Sequence, residues 1–80
     1  MDDKTIMQHI EELVNEEHAL MQRSTDGLLQ EDERQRMHQL EVNLDQCWDL
    51  LRQRRARRHA GLNPDDAQVR DPSIVENYEQ

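Results

Sequence analysis

An all-α fold is predicted by three features of the chain. Apolar residues recur at steps of three and four along two long stretches. Only two Gly and two Pro interrupt the 80 residues, and the β-branched residues are too few and scattered to build strands. The expected architecture is an antiparallel two-helix hairpin over 1–61 followed by a C-terminal tail over 62–80, the hairpins dimerising into a four-helix bundle.

The first helix is expected over about 3–24. Asp2 or Asp3 can accept from the free amides of its first turn. Ile6, Ile10, Leu13, Val14, Leu20 and Met21 share one face, and at 100° per residue Glu17 falls near the centre of that face. A charge there is costly unless paired, so Glu17 either reaches a wet edge of a loose bundle or is paired and sets register. Thr25-Asp26-Gly27-Leu28 is the turn, with Gly27 in the left-handed position and Leu28 packing back on the helix.

The second helix is expected over about 30–60. Leu29 stands where a capping Ser or Thr would be looked for, but Glu31, Asp32 and Glu33 favour a helix start through its dipole. Met37, Leu40, Leu44, Cys47 and Leu51 form its apolar stripe, with Trp48 one step aside and Leu50 on a shoulder. Gly61 stops the helix and Pro64 lies beyond. A short connection makes the helices neighbours. Centred on Gly27, the fold-back leaves residues from about Gln53 to Ala60 overhanging. In the tail, Asp71-Pro72 reads as an N-cap and first helical position for a helix over about 72–78, with Ile74, Val75 and Tyr78 on one face.

Charge is unevenly placed. The net charge is −8, with residues 1–33 carrying ten acids against Lys4 and Arg23, and residues 34–60 carrying seven Arg against three acids. Net acidity argues against a general nucleic-acid binder. Arg52, Arg54, Arg55, Arg57 and Arg58 nevertheless form a cluster suited to phosphate or an acidic partner. The competing reading is structural: Arg at a helix C-terminus complements the dipole, and Asp2, Asp3, Asp65 and Asp66 are candidate neighbours. No aromatics interleave with the cluster, as stacking on single strands would want.

Cofactor chemistry finds little support. Carboxylate-bridged metal bundles use Glu-x-x-His, whereas this chain offers Asn15-Glu-Glu-His18 and Gln35-Arg-Met-His38. No phosphate-binding Gly loop and no Ser/His/Asp set is present, so no cofactor, metal or enzymatic activity is expected. Cys47, the single Cys, sits at a core position and reads as a small hydrophobe. One Cys fits a reducing cytoplasm, Met1-Asp-Asp-Lys4 has no secretory h-region, and no apolar run is long enough to span a membrane.

The segment Leu44-Asp-Gln-Cys-Trp-Asp-Leu-Leu-Arg-Gln-Arg-Arg-Ala56 is similar to the signature of a family of small, mainly actinobacterial proteins, the domain of unknown function 2630 family. Residues 10–18, Gly61-Leu-Asn-Pro-Asp-Asp66, Val69-Arg70 and Val75-Glu-Asn-Tyr78 resemble it too. The resemblance implies a cytoplasmic bacterial protein and brings no activity with it.

The expectation is a non-enzymatic helical interaction protein acting as a homodimer, with room for a further protein partner. Leu13, Glu17, Leu40, Leu44, Cys47, Trp48 and Leu51 are its core and dimer candidates. The alternative is a small regulator that engages nucleic acid or an acidic partner through the Arg52–Arg58 cluster.

Overall fold

A computed structural model describes residues 2–78, with side chains to Val75. Three helices follow one another, α1 (Asp3–Thr25), α2 (Glu31–His59) and α3 (Pro72–Tyr78), with a 3-10 turn at Pro64–Asp66 between α2 and α3. There is no strand among the described residues. The fold is all-α: a hairpin of two long antiparallel helices with a short helix packed on α2.

The helix ends follow from local chemistry. Asp2 caps α1, its Oδ1 accepting from the Thr5 N–H at 2.8 Å. Both long helices stop in the same way. Gly27 (φ +73°) and Gly61 (φ +74°) take the left-handed conformation after the helix. The next residue then donates back across the last turn, Leu28 N–H to Arg23 O at 2.9 Å and Leu62 N–H to Arg57 O at 2.8 Å. Leu28 itself stays 55% exposed, so the packing back expected of it falls to Leu29, which is half-buried against the core. At the start of α2, Glu33 reaches back to the N-cap residue, accepting from the Gln30 N–H at 3.2 Å, one half of a capping box.

The core is the seam between the long helices. Ile6, Ile10, Leu13 and Leu20 of α1 meet Leu40, Leu44 and Leu50 of α2, and Ile6 and Leu40 are wholly buried. Ion pairs close the seam at both ends: Arg23 with Glu33 at 2.6 Å beside the turn, Glu16 with Arg36 at 2.5 Å further along, and Asp3 with Arg54 at the open end.

Glu17 is half-buried, as a residue reaching a wet edge of the bundle would be, and the pair across the hairpin at this level is Glu16 with Arg36. One expectation about this seam needs correction: Leu50 is not a wet shoulder residue but 6% exposed, a member of the buried seam cluster.

After Gly61 the chain turns back and runs along α2, which holds it by its carbonyls. Arg57 donates to Asn63 O at 2.6 Å, Arg54 to Pro64 O at 3.1 Å, Gln53 to Gln68 O at 2.9 Å and Gln46 to Arg70 O at 3.1 Å. Nothing from Gln53 onward stands as a bare overhang. Asp71 then caps α3, its Oδ1 accepting from the Ser73 N–H at 2.9 Å. Val75 is buried whereas Ile74, one residue away, is 51% exposed, so the two do not share the docked face. The Tyr78 side chain lies outside the described residues.

Candidate interaction face

α2 presents two different sides to its surroundings. One carries Gln46, Asp49, Gln53 and Arg57, spaced by three or four residues, and is clasped to the tail. Asp49 is fully buried there. Its carboxylate accepts from Arg70 Nε at 2.9 Å and from Arg70 Nη2, and from Gln53 Nε2 at 2.9 Å. The Arg70 guanidinium, with help from Gln53, holds the Asp49 carboxyl below the usual range despite its burial. The sequence reading passed over this cluster. The signal was a polar stripe on α2 at helical spacing, which is legible only once something is known to lie against it.

Among the described residues, nothing covers the other side of the hairpin in this way. Met7, Val14 and Met21 recur every seventh residue on α1, and Met37, Leu44 and Leu51 do so on α2, so each set runs along one helix face. Met7, Met21 and Trp48 are 47%, 49% and 43% exposed. Val14, Met37, Cys47 and Leu51 are half-buried and pack against the core from this side. Of the candidate core residues, then, Leu13, Leu40 and Leu44 are buried, while Trp48 lies on the surface.

At the open end of this face is a groove of about 360 Å³. Met7, Trp48 and Leu51 give it apolar walls, and Asp3, Arg52, Arg55 and Arg58 rim it.

The five clustered arginines divide sharply. Arg54 is 5% exposed and spends its guanidinium internally, on Asp3 at 2.5 Å and on Asp65 at 2.9 Å as well as on Pro64 O. It therefore has no face to offer a partner, which corrects its standing as a docking candidate. Arg57 bonds Asn63 O and reaches Asp66 at 3.5 Å, and Arg58 pairs with Asp3 at 2.8 Å. The hydrogen bonds from Arg58 and Arg54 lower the Asp3 pKa. Arg52 and Arg55 are exposed and, among the described residues, make no ion pair. The division follows from 100° per residue: Arg54 continues the seam, whereas Arg55 points aside.

Burial raises the Cys47 thiol pKa, which keeps it protonated and a poor nucleophile. No three or more His, Cys, Asp or Glu residues are grouped to hold a metal ion among the described residues. No helix among them is long and apolar enough to cross a membrane.

A family model described as "Protein of unknown function (DUF2630)" matches residues 2–80. Uncharacterized proteins of Mycobacterium bovis and Mycobacterium tuberculosis are 47% identical to the chain over 77 residues, covering 95% of it and 88% of each relative. No solved structure matches. The chain belongs to the DUF2630 family of proteins of unknown function.

Proposed function

We propose that this chain is a non-enzymatic interaction protein of the cytoplasm that works as a homodimer, two hairpins closing face to face into a four-helix bundle. The observation that carries the reading is the uncovered apolar side of the hairpin. The molecule measures 50 × 25 × 16 Å, a slab one helix layer thick, so each helix has a flank that its own partner helix cannot reach. The tail covers one flank of α2, and Trp48 of α2 with Met7 and Met21 of α1 stay half in water. Heptad spacing along both helices is the pattern that packs against another helix pair.

Surface area supports the same reading. The chain exposes 5779 Å², whereas a monomer of 9.6 kDa is expected to expose about 5,100 Å². The excess of about 700 Å² is close to the roughly 800 Å² that each partner buries in an ordinary interface. A two-fold pairing is the simplest closed way to bury it.

The test is the dependence of the melting temperature on protein concentration. A dimer melts higher as concentration rises. Trp48→Glu and Met21→Glu, both at exposed positions, should abolish that dependence while leaving the helical signal of the hairpin. Concentration-independent melting of the unaltered chain would refute the proposal. The alternative, a regulator binding nucleic acid or an acidic partner, draws its support from Arg52 and Arg55 alone. Retardation of RNA or DNA that weakens steeply with salt would favour it.

A further inference from the structure

We propose that the groove at the open end of the hairpin is a binding site for a small organic carboxylate with an apolar body, such as a medium-chain acyl carboxylate. The walls and the rim ask for the two halves of such a ligand. Met7, Trp48 and Leu51 form an apolar lining at the bottom of a space of about 360 Å³, near the lower end of the roughly 300–1,000 Å³ common for small-molecule sites. An uncharged apolar ligand would use only the lining, and an inorganic anion only the rim.

The sign of the charge follows from the arginines. Asp3 is the one acid on the rim, and its oxygens are already taken by Arg54 and Arg58. Arg52 and Arg55 stand on α2 three residues apart, hence on one side of the helix, and make no ion pair among the described residues. They flank Trp48, at four and seven residues beyond it. A ligand lying along Trp48 therefore ends beside two guanidinium forks, which match a carboxylate in two parallel hydrogen bonds. No hydrogen bond or ion pair among the described residues uses these two arginines, whereas Arg54 beside them is spent on Asp3 and the tail and Arg57 on the tail.

The site rests on the groove and not on the homodimer reading. Met7 and Trp48 are common to both, however, so where the chain dimerises, an occupied groove and a second copy exclude one another, and the ligand would release single chains.

Trp48 is the only Trp in the chain and reports from inside the groove. Its fluorescence is followed while decanoate, below its micelle-forming concentration, is added to the full chain. Decanol, acetate and inorganic phosphate serve as ligands lacking one half or the other. Decanoate should give a saturable change, with the other three binding at least roughly tenfold more weakly. The double variant R52Q/R55Q should lose roughly tenfold to a hundredfold in affinity, the range for a charge-assisted hydrogen bond. R34Q, remote from the groove, should bind as the unaltered chain does. Both arginines are exposed, so the variant should keep its helical spectrum.

Equal affinity for decanol and decanoate, or full affinity in R52Q/R55Q, would overturn the proposal. So would a response to phosphatidylglycerol vesicles without one to monomeric decanoate, which would make the groove a membrane contact. The titration is run at a chain concentration where sedimentation shows single chains, so a second copy cannot cover the groove and the two readings fall separately.

Discussion

Replacing Asp49 with Ala should release the tail from the hairpin. The carboxylate is fully buried and receives both arms of Arg70 and the Gln53 amide. Breaking a wholly buried ion pair costs about 3–5 kcal/mol, because one charge is stranded. Here the stranded charge is not wholly buried: the Arg70 side chain is 39% exposed and regains water once the tail loosens. The expected loss is therefore nearer the charge-assisted hydrogen bond itself, about 2 kcal/mol. For a chain of this size that corresponds to a fall of roughly 8–16 °C in melting temperature. Asp49→Asn keeps the shape and one acceptor, and should lose about half as much. The damage should be local first, because the tail can leave while the Leu40 seam persists. Limited proteolysis between Ala67 and Asp71 should accelerate in Asp49→Ala, with the helical signal of α1 and α2 nearly unchanged before the melt. Comparison must be made at one protein concentration. A midpoint within 2 °C of the unaltered chain, with the tail equally protected, would refute the assignment of Asp49 as the tail's anchor.

The arginine cluster should respond unevenly: Arg54→Gln, which strips Asp65 and Pro64 O of their donor, should lower the melting temperature clearly, and Arg55→Gln should leave it where it was. Acid should destabilise the fold through its lowered carboxyls, the capping Asp2 and Asp71 and four that are held by arginines. Asp3, Glu16, Glu33 and Asp49 all have pKa values below their ordinary 3.8 or 4.5, held there by Arg58, Arg36, Arg23 and Arg70 respectively. Stability from such groups is present above the unfolded pKa and lost as pH falls through the folded one. The melting temperature should thus hold between pH 7 and about 5 and drop below about pH 4. A midpoint that rises on acidification would show that mutual repulsion of the excess acids outweighs these pairs.

The hairpin was legible because its signals are local. A cap such as Asp2, a glycine such as Gly27 or Gly61, and a stripe such as Leu40–Leu44–Leu51 each act within a few residues, and the observed ends of α1 and α2 lie within one residue of those expected. The tail was not legible for the opposite reason. Its anchors join residues far apart in sequence, Asp49 to Arg70 and Gln46 to the Arg70 carbonyl, and a polar stripe on a helix looks like any solvated face until a partner lies on it. Leu50 was misplaced as well, set on a wet shoulder although it belongs to the buried seam cluster. Reading Arg52–Arg58 as one cluster failed on geometry: five arginines in seven residues wrap almost twice round a helix, so they face the seam, the tail and the groove in turn. Glu17 illustrates the limit of a wheel drawn for one helix, since the choice between Glu16 and Glu17 was made by where Arg36 stands on the other.

The homodimer carries the functional account, and sedimentation equilibrium of the full chain at pH 7 tests it most directly. Across protein concentrations from about 1 to 100 µM, spanning the dissociation constants of ordinary weak-to-moderate interfaces, the mean mass should climb to twice the 9.6 kDa of a single chain. A mass that stays at 9.6 kDa through the whole range, with the helical signal intact, would contradict the account.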